Sequence, residues 1–263
     1  MSNGRRSAKL RSWVLATATA IAALAVWEGT ARLGLYNARL VPPPDQVVAE
    51  FFRMIQSGEW ISDVEASLKR YAVGFIIGVI TGILAGFATG RVKAVYDATA
   101  PLMNFLRSTP SVALVPLSIV WLGIGEAGKY FVIAWGVFFP VWIATHTGTR
   151  NVTRAYEWAA RSLGARHIHM LTEVIFPEAL PFIVSGVRIG IATGFFALAA
   201  AEMAGAYAGV AFRIFFAQQG FHTAEMMVAI LTIGALGLIA DRLFVALTKR
   251  AIPWGRADDA SER

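Results

Sequence analysis

Apolar residues in this chain gather into stretches of about twenty, the length at which an α-helix spans the hydrocarbon core of a bilayer. Such stretches leave few folds open, because backbone polar groups in lipid must be satisfied internally, and only helices and closed barrels achieve that. The runs fall near Trp13–Leu35, Leu68–Thr89, Ala98–Leu122, Tyr130–Gly148, Leu180–Ala204 and Met226–Thr248, which predicts six transmembrane helices. They are spread over the 263 residues, so no polar segment is long enough for a separate soluble catalytic domain. The expected fold class is all-α and polytopic.

Composition agrees: 56% of residues are hydrophobic and 16% charged, against roughly a quarter charged in soluble domains. The net charge of +7 does not point to nucleic acid, because the 24 Lys and Arg sit in short clusters between apolar runs. With the amino terminus inside, 14 of them fall in cytoplasmic segments, including Arg5, Arg6, Lys9, Arg11, Arg91, Lys93, Arg150 and Lys249, and four (Arg39, Arg53, Lys129 and Arg213) fall in outer loops. That asymmetry sets both termini in the cytoplasm. The first run also resembles a secretory signal behind its basic residues, but it continues to about Leu35 and further spans follow, which favours an uncleaved helix. Zero cysteines excludes disulfides, thiolate metal sites and a cysteine nucleophile.

These runs divide the chain into a cytoplasmic tail (1–12), a first transmembrane helix (13–35), an outer segment (36–66), a core domain (67–250) and a cytoplasmic tail (251–263). In the outer segment, Val41-Pro42-Pro43-Pro44 forces an extended turn, and Asp45 is placed to cap a helix with Val47, Val48, Phe51, Phe52 and Ile55 on one face. That helix either lies in the membrane interface or packs on the membrane domain.

The second run carries Gly74, Gly78, Gly82, Gly86 and Gly90. Small residues at every fourth position make a groove for close approach of another helix; packing within one protomer is the simpler reading, a role in passage the other. The third run is interrupted by Pro110 and Pro116, and irregular backbone at membrane depth survives only against protein or a water-filled cavity. Arg107, Ser108 and Pro110 are thus candidates for the lining of a pathway, with a kinked core helix as the alternative.

Charges at membrane depth demand partners or water. Glu202, near the outer end of the fifth run, is read either as an anchor or as part of the pathway. Arg107, Arg188 and Asp241 share a depth of about 9–11 Å from the inner boundary at 1.5 Å per residue. One carboxylate cannot neutralise two guanidiniums, so Asp241 is expected to hold Arg107 and leave Arg188 facing the pathway; in the other reading both arginines snorkel.

The inner segment 150–181 contains Tyr156 to Leu163, helix-forming in composition, followed by Gly164 as a C′ residue. A second helix with Ile168, Leu171, Val174 and Ile175 on an apolar face is expected to stop at Pro177. Helix, glycine, helix makes a knob shaped to enter another protein's groove.

In Ala159, Ala160, Arg161, Ser162, Leu163, Gly164 and Ala165, with Phe176-Pro177 and Ala179-Leu180-Pro181 downstream, the chain resembles the permease subunit of binding-protein-dependent ABC importers of the type I fold. Trp158 stands where the family carries an acidic residue, and Glu157 lies one position earlier. Leu40 to Val47, Ser67-Leu68-Lys69-Arg70, Pro110 through Glu126 with Lys129, and Ser185 to Ile189 resemble the nitrate, sulfonate and taurine branch. The resemblance implies residence in the bacterial inner membrane and a second copy of the permease. It also implies two cytoplasmic ATP-binding subunits that hold ATP and magnesium, and a periplasmic or lipid-anchored solute-binding protein. It makes the segment around Gly164 the helix that couples to the ATPase, and a small anion the cargo, with a carboxylated aromatic or vitamin precursor as the alternative.

Catalysis in this chain is disfavoured. It holds no Gly-x-x-x-x-Gly-Lys-Ser/Thr motif, and His146, His167, His169 and His222 do not converge by spacing. A membrane-embedded enzyme and a non-transporting scaffold are the remote alternatives. Phe215, Phe216, Gln218, Gln219 and Phe221 in the last outer loop either meet substrate or binding protein or form a packing segment.

Overall fold

A computed structural model describes residues 3–34, 37 and 40–251; side chains at 3–13, 16, 20, 250 and 251 are outside the described set. The expected end of the first run at Leu35, the outer Arg39 and the tail with Arg256 and Arg263 therefore lie outside the described residues.

Every regular element among the described residues is a helix, with no strand. They form α1 (Asn3–Arg32), α2 (Pro44–Gln56), α3 (Glu59–Arg91), α4 (Lys93–Arg107), α5 (Val115–Leu122, entered by a 3₁₀ turn at Ser111–Leu114), α6 (Glu126–Arg150) and α7 (Arg154–Ser162). Then come α8 (His167–Gly205), α9 (Val210–Gln219) and α10 (Thr223–Ala251). Among the described residues, α3, α6, α8 and α10 are each long and apolar enough to cross a membrane, and α4 with the segment through α5 makes a fifth span if counted together. The first expected run, Trp13–Leu35, falls on α1, 30 residues long, which is not among these spans, so the described residues give four or five spans against the six expected.

The chain divides into two compact units, Met1–Ile61 with Arg213–Leu231, and Ser62–Phe212 with Thr232–Arg263. In the first, Val47, Met54 and Val228 are buried among Trp27, Phe51, Trp60 and Met227. Thus α2 packs one edge of its apolar face on protein while Val48 and Phe52 stay exposed. Its start differs from expectation: Pro44 opens the helix and Pro43 takes the cap position, and among the described residues the Asp45 carboxylate accepts from the adjacent Gln46 N–H at 2.8 Å without capping the helix. Proline at the first helical position has its φ preset and gives up a donor that would be unpaired anyway, so no side-chain cap is needed.

In the second unit α6 is the central helix. On one face the five glycines of α3 meet it: a Cβ on Gly78 would lie 2.7 Å from the Ala134 carbonyl oxygen, and one on Gly82 would lie 2.9 Å from that of Phe138. On the other face Gly136 and Gly148 of α6 and Gly186, Gly190 and Gly194 of α8 let those two helices close in the same way. Backbones this near gain dispersion and leave no room for side chains, which is what holds helices together where lipid removes the hydrophobic drive. Ile133, Val137 and Val141 then meet Ile183, Val187, Ile191 and Leu198, with Ile233, Leu236, Ala240 and Phe244 of α10 packed outside them.

Two expectations about breaks change. The helix after the knob does not stop at Pro177 but runs on through Pro181 to Gly205. Met170–Ile175 forms a π-helical turn just before Pro177, and such a turn absorbs a register shift inside a continuous helix. The third run, by contrast, is no kinked rod: α4 and the segment Ser111–Leu122 meet at 90°.

Candidate functional site

At one end of the second unit sits the knob. Helix α7 closes at Leu163, Gly164 takes φ +80°, its N–H donates to the Arg161 carbonyl (3.0 Å), and the Ala165 N–H donates to that of Ala160 (3.0 Å). These two bonds are the Schellman closure, which satisfies the last carbonyls of a helix and favours glycine at the left-handed residue. Space does not require the glycine, since a Cβ there would meet nothing within 4 Å; the backbone conformation does. Beneath, Val152, Met170 and Ile175 form a small core with Phe87, Ala160, Leu171 and Val174, while Ile168 of the expected apolar face stays exposed.

The outer side of the knob is Tyr156, Trp158 and Leu163, with Leu163 87% exposed, and Ala159, Arg161 and Ser162 are exposed beside them. Glu157 turns the other way: the Arg91 guanidinium at the end of α3 donates to its carboxylate at 2.8 Å and to the Thr149 carbonyl at 3.2 Å. The carboxylate nearest the acidic family position is therefore held inside the chain, and the exposed neighbour is an indole.

At the opposite end lies a buried polar network. Asp63, Ser67 and Arg70 recur at helical spacing on one face of α3, all buried. They gather the start of α9: the Gly209 N–H donates to Asp63 (2.8 Å), the Val210 N–H to Ser67 Oγ (2.8 Å) and the Ala211 N–H to Glu202 (3.0 Å). The orphan donors of a helix start are thus satisfied by three side chains from elsewhere. Glu202, fully buried, also accepts from Ser67 Oγ (2.8 Å) and Arg70 Nη1 (2.9 Å). Arg70 makes a two-point pair with Glu126 (2.7 and 3.0 Å) and donates to the Ala208 carbonyl, and Lys129 closes on Glu126 at 3.0 Å. Gly209, at φ +134°, lies flat over the Glu202 carboxylate, where a Cβ would fall 2.5 Å from Oε1. Both Glu202 oxygens are occupied by this chain's own donors, an arrangement suited to anchoring.

Of the expected pathway residues, Arg188 and Asp241 meet each other. Asp241 pairs with Arg188, at 2.7 Å to Nε and 3.1 Å to Nη2, and not with Arg107. The reason is azimuth: α8 and α10 pack side by side and turn these two residues toward each other, whereas α4 ends at Arg107 and the chain leaves it at the 90° break. Arg107, Ser108 and Pro110 are all exposed at that break. In the first unit, Phe215 is partly exposed, Phe216 more so, and Phe221 is 77% exposed with φ +54°. Near it Arg213 reaches Glu225 at 3.1 Å and Glu59 at 3.8 Å.

Reading the sequence missed Asp63 and its bond to Gly209, and the second row of glycines on α8. Both had a signal: polar residues at positions 63, 67 and 70 recurring at helical spacing near the start of α3, and glycine at every fourth residue from 186 to 194.

Known proteins share this organisation. The taurine transport system permease protein TauC of Escherichia coli K12 is 32% identical over 250 residues, covering 93% of this chain and 90% of its own. The putative aliphatic sulfonates transport permease protein SsuC of Bacillus subtilis is 32% identical over 231 residues, 88% of this chain and 84% of its own. The crystal structure of an amino acid ABC transporter with histidines superposes with a TM-score of 0.59 at 19% identity, covering 77% of this chain and 97% of that one, which places the fold among type I importer permeases. The family described as binding-protein-dependent transport system inner membrane component matches residues 74–253. With two thirds of its length inside that family and its relatives in the nitrate, sulfonate and taurine branch, this chain is a permease of a binding-protein-dependent ABC importer.

Proposed function

We propose that this chain forms the membrane path through which an organic anion of the sulfonate or taurine type, delivered by an external binding protein, enters the cytoplasm. It works as two copies over two ATP-hydrolysing subunits, which supply ATP and magnesium chemistry. The observation that carries the coupling role is the knob: an exposed helix with a Schellman-closed end, seated on its own small core, and presenting Tyr156, Trp158 and Leu163 outward. Burying exposed aromatic and leucine side chains in a groove is the usual source of binding energy for such a helix. With Glu157 held by Arg91, the seat in the ATPase for this stretch is expected to be apolar rather than basic.

On this reading both termini and the knob are cytoplasmic, and the network around Glu202 lies at the periplasmic end. There it fixes α3, α6 and α8 to the loop 206–209 and the start of α9. The substrate class rests on the names of TauC and SsuC. The test is uptake by proteoliposomes that contain the permease, its ATPase and its binding protein. ATP-dependent accumulation of a radiolabelled alkyl sulfonate or taurine is expected, and accumulation that persists without the ATPase or the binding protein would overturn it.

A further inference from the structure

Between α8 and α10 a cleft of about 330 Å³ opens beside the Arg188–Asp241 pair. Phe195, Phe196, Ile233 and Gly234 line it, and apolar surface dominates it. Three features need an occupant. The first is the ion pair itself, on two helices apolar enough to cross a membrane, with the Arg188 side chain 57% exposed. A guanidinium in that position requires water or a polar partner. The second is its unused donors: Arg188 has five N–H groups, two go to Asp241, and the other three have no acceptor among the described residues. The third is Gly234, whose Cβ would meet nothing within 4 Å. A glycine inside a helix weakens it, and none of the described residues packs against this one.

We infer that the cleft is a binding site for an organic monoanion with an apolar body, an alkyl or aryl sulfonate or carboxylate, whose head meets Arg188 and whose body lies on Phe195 and Phe196. This rests on the import reading above and narrows it. The volume falls in the range of small-molecule sites, about 300–1,000 Å³, and a nitrate-sized ion would leave most of it empty. A second negative charge on the ligand is disfavoured by Asp241 beside the guanidinium. Loading places the ligand head on the donors that Asp241 leaves free, and the ion pair stays in place. Because the guanidinium is paired before and after, the net gain is mainly burial of the apolar body, so the site holds its ligand weakly enough to release it, as a transport path requires.

The chain has no cysteine, so a single thiol reports occupancy. Gly234→Cys places it in the open cleft; should that variant fail to insert, Ala199→Cys on the α8 side carries the same measurement. The permease–ATPase complex is reconstituted in phosphatidylcholine nanodiscs, and the rate of maleimide labelling is followed with hexanesulfonate, nitrate or hexanol. Expected is protection by hexanesulfonate, roughly tenfold at ten times its dissociation constant by mass action, none by nitrate or hexanol, and loss of protection when Arg188→Gln is added. No protection, or equal protection by hexanol, overturns the inference. Anionic phospholipid shares the ligand's chemistry: if phosphatidylglycerol in the disc protects and hexanesulfonate adds nothing, the cleft is a lipid seat and the inference fails. Sulfonate import with an unprotected thiol would overturn the cleft alone, whereas protection without any ATP-driven import would overturn the import reading alone.

Discussion

Glu202→Gln keeps shape and removes charge, and on an open path it would be mild. Here it is not expected to be. One carboxylate oxygen accepts from Ser67 and Arg70, the other from the Ala211 N–H. An amide can offer only one oxygen, so its NH₂ must face one of these donors at full burial. A buried donor left unpaired costs about 1–3 kcal/mol. Breaking a buried ion pair from one side costs about 3–5 kcal/mol, and because Arg70 keeps Glu126 the lower end applies, about 3 kcal/mol. For a chain of this size that lowers a thermal midpoint by about 6–12 °C. The assay is thermal unfolding of the detergent-solubilised permease–ATPase complex, with membrane abundance alongside. Glu65→Gln is the control, because Glu65 pairs with Lys69 on the surface and its loss is expected to leave the midpoint unchanged. A wild-type midpoint and abundance for Glu202→Gln would refute the anchoring role of the network.

Gly78→Ala brings a methyl to 2.7 Å from the Ala134 carbonyl oxygen, so α6 must shift; the cost is about 1–3 kcal/mol of overpacking, measured by the same unfolding assay. Glu157→Gln frees Arg91 from a partly exposed pair, a loss of about 1 kcal/mol or less, and should raise hydrogen exchange across residues 154–162 while the rest of the chain keeps its protection. Thiols introduced singly at Ser57 and Ser162 should label from opposite faces of the membrane, Ser162 only after permeabilisation. Labelling of both from one face would overturn the proposed topology.

Hydropathy located α3, α6, α8 and α10 because membrane thickness fixes span length, and the glycine period on α3 was visible because one face of a helix repeats every fourth residue. Depth along the membrane normal could also be counted from residue numbers. Rotation about that normal cannot, which is why the sequence points Asp241 to Arg107 while α10 turns it toward Arg188. Prolines in the third run announced a break without its angle, since the angle is set by what the two halves pack on. Pro177 and Pro181 misled in the other direction, because a π turn let the helix continue. Gly164 was legible because a left-handed C′ residue is a local requirement. The capture of Glu157 by Arg91 joins residues 66 positions apart and leaves no local trace.

The claim that the knob transmits ATP-driven motion is tested most directly by Gly164→Val. A β-branched residue at φ +80° is strained by about 1–2 kcal/mol, and the open space around Gly164 means that the backbone alone is perturbed. In proteoliposomes with the ATPase and a loaded binding protein, the variant should insert and assemble yet lose both stimulated ATP hydrolysis and uptake. Full stimulation and wild-type uptake by the assembled variant would contradict the coupling role.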